Sequence, residues 1–267
     1  MNTPSRPRAT KIICTIGPAT DTSDMLGQLI EAGANVFRLN MSHSKHDWVR
    51  EVVFRIRRKA AELKANVAIL FDLQGPSIRT GDLLEPYHLK KGDTVEIRLG
   101  TAKPELPFST TVNYDGLLQD VQAGHTMVVD NGGILMRIAE VRPDRLICDV
   151  LTEGVFGSRR HINLPGVALR LPALTEKDLA DLAVAVECET DYVAMSFVRD
   201  AAHIAQLREH IDNLGGKAQI VAKIEDQQAV RHIDDIILAA DVIMVARGDL
   251  GLSLIHISEP TRLRCIS

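Results

Sequence analysis

None of the four cysteines in this sequence is placed to do chemistry: Cys14, Cys148, Cys188 and Cys265 are scattered, with no C-x-x-C pair and no metal-ligand spacing. Their isolation excludes a zinc ribbon or a dithiol redox centre and fits a reducing compartment, where thiols serve as ordinary apolar residues. Long apolar runs are missing as well. The start, MNTPSRPRATKIICTIG, carries basic residues but only a short apolar stretch before a Gly-Pro break, so neither a signal peptide nor a membrane span is expected. The cytoplasm is the simplest address. Charge of one sign is lacking too, since 31 Lys and Arg are interspersed with 35 Asp and Glu for a formal net charge of -4. No basic field argues for nucleic acid, and no acidic tract argues for a solvating tail.

Absent motifs narrow the chemistry further. The chain has no G-x-G-x-x-G, no Walker loop, no H-E-x-x-H and no Ser or Cys nucleophile with a paired base. What it does have is 267 residues with 45% hydrophobic content, enough for one large domain or two smaller ones, each with a core.

Short β-branched and aliphatic runs, KIICTIG, NVFRLNM and VAILFDL, alternate with helical patterns, as in β/α units of a parallel sheet. Leu26, Leu29 and Ile30 recur at helical spacing, with Ser23 as the expected N-cap and Gly33 as the stop. A second helix is expected from about Asp47 to Leu63, with Arg55, Arg57, Arg58 and Lys59 on a solvated face. From Gly81 the pattern changes to period-two segments, TVEIRLG, TMVVD, ILMRIAEV and RLICDVL, separated by turn residues such as DNGG. This reads as a β-rich module ending near NLPGVALRLP. The β/α rhythm then returns: LTEKDLADLAVAV opens with a capping-box-like Thr175 and Asp178, and DYVAMSFV, AQIVAKIE and DVIMVARGD follow as strands. One helix is expected over QQAVRHIDDIILAA. The expected fold class is α/β, a TIM-type (β/α)8 barrel truncated after about six strands, with an inserted β-barrel-like lid. Residues 1–80 and 173–251 form the two parts of the barrel, 81–172 the lid, and 252–267 a non-native tail. Polar residues at many strand ends favour a barrel over a doubly wound sheet.

Those strand ends carry the candidate chemistry. Arg38, Asn40 and Ser42 are two apart at the end of NVFRLNMS, so they project to one side while the strand lasts. Asp72 leaves a buried strand and Arg79 follows a Gly-Pro turn, a carboxylate suited to a cation and a guanidinium suited to phosphate. Lys223 and Glu225 sit at i and i+2 after an apolar strand, and Asp249 is expected at the end of the next one. Two carboxylates with few other protein ligands suit Mg²⁺, which keeps water and substrate oxygens in its shell. The residues alone therefore reach metal-assisted chemistry on a phosphorylated anion, with kinase, lyase and mutase open.

In order, TKIICTIGPAT, EAGANVFRLNMSHS, FDLQGPSIRTG, INLPGVALRLPALTEKD, DYVAMSFVR, IVAKIED and VIMVARGDLG closely resemble pyruvate kinases, from about Thr10 to Gly251. The resemblance implies a barrel with a lid after its third strand, transferring a phosphoryl group from phosphoenolpyruvate to ADP to give pyruvate and ATP. It implies Mg²⁺ or Mn²⁺ at Glu225 and Asp249, and K⁺ at Asn40, Ser42, Asp72 and the Leu73 carbonyl. Lys223 corresponds to the lysine that stabilises the transferring group and Arg38 to the phosphate arginine, while Arg79, His43 and Arg160 correspond to the nucleotide side. Arg160 stands where the lid usually has a lysine, and Ser77 where the family usually has Glu or Lys, which bears on K⁺ dependence. A homotetrameric, glycolytic parent is implied, with no nucleic-acid or membrane partner. From Leu252 the sequence LSLIHISEPTRLRCIS departs from the family pattern, so the expectation is a truncated and inactive chain. The rival readings are a Mg²⁺-dependent lyase or aldolase acting through a pyruvate enolate, and an inert fragment.

Overall fold

A computed structural model describes residues 9–130, 132–167 and 169–251; the tail expected at 252–267 lies outside them. The chain begins with β1 (Ile13–Ile16), α1 (Ser23–Glu31), β2 (Val36–Asn40), α2 (His46–Glu62) and β3 (Ala68–Asp72). A β-rich excursion follows: β4 (Tyr87–Leu89), β5 (Thr94–Arg98), β6 (Phe108–Thr111), α3 (Leu117–Asp120), β7 (Thr126–Val129), β8 (Ile134–Val141), β9 (Arg145–Val150), β10 (Gly154–Phe156) and β11 (Ile162–Asn163). The chain then resumes with α4 (Glu176–Glu187), β12 (Tyr192–Met195), α5 (Ala201–Asn213), β13 (Gln219–Ile224), α6 (Gln227–Arg231), α7 (Ile233–Ala239) and β14 (Val242–Val245).

Six strands form one parallel sheet in the order β1-β2-β3-β12-β13-β14. Each unit lands beside the last, and α1, α2, α4, α5 and α7 touch in that same order. A doubly wound sheet would reverse its order at a switch point; this one never does, which makes it an incomplete β/α barrel among the described residues.

Alternation along the strands decides which side chains reach the site. One parity, including Phe37, Leu39, Phe71, Val193, Met195, Ala222 and Ile224, packs with Leu26, Val52, Ile56, Leu182 and Leu207 beneath the helices. The other parity begins in a small cluster of Val36, Leu70, Tyr192, Ala194, Val221 and Met244. Two residues further along, still on that face, come Arg38, Asp72, Ser196 and Lys223, then Asn40 and Glu225. Apolar interior thus gives way to polar groups at the carboxyl ends of the strands.

The insertion has its own core, built from Val95, Ile97, Met127, Met136, Ile138, Leu146, Cys148 and Phe156. Its main sheet runs β11-β7-β8-β9-β5-β6 and is antiparallel except for β5 with β6, while β4 and β10 pair separately. Among the described residues no helix is long and apolar enough to cross a membrane.

Several local expectations need correction. The N-cap of α1 is Thr22, whose side chain accepts the Met25 N–H; the Ser23 hydroxyl instead accepts from Arg58 at 3.0 Å. The expected single helix over residues 227–240 is two, because His232, with ψ at 21°, leaves helical geometry between α6 and α7. The basic face of α2 is more than solvated: Arg57 ties the helix to Asp191 at 2.8 Å and to the Glu189 carbonyl at 3.0 Å. Gly33 does end α1, at φ 98°, with its N–H on Ile30 O and that of Ala34 on Leu29 O.

Candidate active site

Lys223 is the centre of the polar face. Its Nζ lies 2.6 Å from Ser196 Oγ, 3.1 Å from Glu225 Oε1 and 3.2 Å from Asp72 Oδ1. Burial by itself pulls the lysine pKa down, but Glu225 and Asp72 outweigh it and leave the pKa above its ordinary value. The ammonium is therefore charged and aimed into the cleft.

Glu225 is 3% exposed, and burial lifts its pKa above the ordinary carboxylate range. Lys223 and the Phe197 N–H, 2.6 Å from Oε2, only partly oppose this, and the nearby charge of Asp249 adds to the lift. Asp72, 2% exposed, is flanked by two cations: its buried Oδ1 meets only the Lys223 ammonium, at 3.2 Å. Its other oxygen takes Arg38 Nε at 2.7 Å, while Arg38 also reaches Thr15 Oγ1 at 2.9 Å.

Asp249 is not at the end of a strand, as the sequence pattern implied. β14 stops at Val245, and Asp249 sits in a helical turn over residues 247–251, closed by the Leu250 N–H on the Ala246 carbonyl at 3.0 Å. A carboxylate is well tolerated in a first helical turn.

Asn40 Oδ1 accepts the Ser42 N–H at 3.1 Å, and the Leu73 carbonyl accepts from Ser196 Oγ at 2.8 Å. His43 is exposed at the rim. Across the cleft, Arg79 donates to the Arg159 carbonyl at 3.1 Å, and Arg160 pairs with Asp130 at 3.2 Å while its buried Nε has no hydrogen-bond partner. Burial lowers the pKa of His161 beside them, opposed by the charge of Asp249 and reinforced by Arg79. Every candidate residue named from the sequence lines one cleft of about 400 Å³ between the parallel sheet and the insertion, and Ser77 lines it too.

Sequence reasoning missed Ser196, Phe197 and Thr15. Ser196 was legible by the logic that found Arg38, a polar residue on the inward parity just past an apolar strand. Phe197 was not, because its role lies in a backbone N–H presented at φ 56°. Ser196→Ala is expected to cost about 1 kcal/mol through the lost bridge between Lys223 and Leu73. Urea unfolding checks this, and an unchanged midpoint would mean the bridge contributes nothing.

Comparison with known proteins agrees with this geometry. Residues 7–260 match the family described as pyruvate kinase, barrel domain. Plastidial pyruvate kinase 2 of Arabidopsis thaliana is 39% identical over 254 residues, covering 94% of this chain and 43% of that protein. A pyruvate kinase of Clostridium perfringens is 38% identical over 92% of this chain and 52% of its own length, and one of Geobacillus stearothermophilus is 39% identical over 92% and 43%. The chain spans about half the length of the curated relatives it matches. With the family matched across nearly all of its length, the chain belongs to the pyruvate kinase family.

Proposed function

We propose that the whole protein transfers a phosphoryl group from phosphoenolpyruvate to ADP, yielding pyruvate and ATP, as a soluble cytoplasmic enzyme of glycolysis. In this reading residues 1–80 and 173–251 are barrel, 81–172 a lid, and the complete enzyme a homotetramer. The observation that supports it best is the charged Lys223 between Asp72 and Glu225, at the floor of a cleft whose opposite wall carries Arg79 and Arg160.

The residues fit a divalent ion. Glu225 and Asp249 line one cleft and the charge of Asp249 is felt at Glu225, so the two carboxylates would share Mg²⁺ or Mn²⁺ with substrate and water oxygens. Such an ion supplies neutralisation of phosphoryl and enolate charge. Asp72, Asn40, Ser42 and the Leu73 carbonyl line the same cleft and offer the oxygen donors that K⁺ takes.

The side chains of this chain do the positioning. Lys223 places a fixed positive charge where the transferring phosphoryl and the developing enolate are most negative. Arg38, leaning on Asp72 and Thr15, offers its guanidinium to the substrate phosphate. Arg79, His43 and Arg160 face the nucleotide, and the lid excludes water from the cleft.

In the full-length enzyme, pyruvate formation is expected to require ADP and to rise with added K⁺, since the side-chain ligands Asn40, Ser42 and Asp72 remain although Ser77 brings no charge. A coupled pyruvate assay with and without each component tests this. Pyruvate release independent of ADP would favour a lyase or aldolase instead. Equal rates in K⁺ and in a bulky organic cation would remove K⁺ from the reading.

A further inference from the structure

Where the chain returns from the lid to the barrel, residues 169–171 are gripped from both sides. From the barrel, the Arg199 guanidinium just beyond β12 donates to the Leu169 carbonyl at 2.7 Å and to the Leu171 carbonyl. From the lid, Asp120 at the end of α3, its side chain 2% exposed, accepts the Arg170 backbone N–H at 2.9 Å and Arg170 Nε at 2.6 Å, and also the Tyr114 hydroxyl. The carbonyls of 169 and 171 are thus taken by the barrel and the amide of 170 by the lid.

The two terminal nitrogens of the guanidinium each take one carbonyl, a fixed planar spacing that the single ammonium of lysine does not reproduce. A third contact, Arg199 to His203 Nε2 at 3.2 Å, braces the guanidinium against α5. The outgoing crossing is fastened differently. Asn113 of the lid accepts the Arg79 N–H at 2.7 Å and donates to the Ser77 carbonyl at 3.0 Å, and the barrel holds this crossing at Gly75 through Asp178. Beside the returning segment lies a second cavity of about 330 Å³, lined by Leu169, Leu171 and Arg199 and sharing His161, Phe197, Glu225 and Asp249 with the main cleft. A returning segment released from Arg199 has room to move into it.

We propose that Arg199 is a positioning residue for the lid, setting its place over the cleft by clamping the 169–171 connector to the barrel. It touches no substrate; it acts through the connector and, by way of Arg170 and Asp120, on the body of the lid. The proposal deepens the kinase reading, because the lid side of the cleft carries Arg160 and the outgoing crossing carries Arg79, while Lys223 and Arg38 stand on the barrel.

Two measurements on the full-length enzyme test it. Arg199→Met is expected to raise the nucleotide KM about tenfold while the phosphoenolpyruvate KM stays within about twofold, with Arg199→Lys intermediate because one donor reaches one carbonyl. Spin labels at the exposed positions Glu153 of the lid and Glu209 of α5 should give a broader distance distribution in the methionine variant than in the parent. A role in stability alone would lower kcat with the active fraction and move neither KM nor the distances, and that result overturns the proposal. Should the methionine variant fail to fold, the lysine variant carries the same comparison. Loss of ADP-dependent turnover in the parent would sink the kinase reading, yet the label distances would still decide the role of Arg199.

Discussion

Lys223→Met is expected to lower kcat for phosphoryl transfer by about 10³-fold, the scale seen when a preorganised charge at a reacting centre is removed. The ammonium sits between Ser196, Glu225 and Asp72, so it is held in place before substrate arrives and costs little reorganisation during the reaction. Its pKa lies above the ordinary lysine value because the two carboxylates overcome burial, so the charge persists well above neutral pH. The linkage has the matching sign: a raised lysine pKa contributes stability at neutral pH that is lost only as pH rises through the folded value. Methionine fills much of the space but leaves the buried Glu225 without its cation and Asp72 with Arg38 alone, so the variant should also be less stable. Lys223→Arg separates the effects by keeping a charge in a different shape. The expected pattern is a large loss of kcat with a small change in either KM in the methionine variant, and partial recovery with arginine. Retention of more than about a tenth of parental kcat would remove Lys223 from the chemistry.

Much of this site was legible because a parallel strand has a period of two. Arg38 with Asn40, and Lys223 with Glu225, share a face on spacing alone, and the apolar residue before each pair marks the strand that carries them. The sheet order was legible for a similar reason: β/α units separated by short loops land next to one another. What spacing could not carry is backbone geometry. Asp249 lies beyond its strand because the chain turns helical at residue 247. Phe197 works through an N–H at positive φ, and the Leu169 and Leu171 carbonyls work through a partner remote in sequence. The short strands β4, β6, β10 and β11 were also missed. Segments of 2 or 3 residues are too brief to show alternation, and β6, FSTT, carries a single apolar residue.

Asp178→Ala is expected to destabilise the protein by about 2–4 kcal/mol and to damage the site by a route that avoids every residue in the cleft. Asp178 is fully buried in the first turn of α4. One carboxylate oxygen accepts the Thr175 N–H at 2.8 Å and its hydroxyl at 2.6 Å, and the other accepts the Gly75 N–H at 3.0 Å. The first set closes the capping box that starts the helix after the lid. The second holds the turn after β3, where Gly75 has φ at +70° and a Cβ would come within 2.9 Å of Ser196 Cβ. A single side chain therefore joins the start of α4 to the segment that delivers Ser77 and Arg79. Alanine leaves two backbone donors without an acceptor, and Gly75 is buried where water reaches it poorly. Asparagine keeps one oxygen and can satisfy one donor well, so Asp178→Asn should lose roughly half as much. Urea unfolding gives the stability, and the nucleotide KM reads the displacement of Arg79, which should rise in both variants while the phosphoenolpyruvate KM changes less. A stability within about 0.5 kcal/mol of the parent in the alanine variant would show that solvent or a shifted loop satisfies Gly75, and that α4 does not hold this turn.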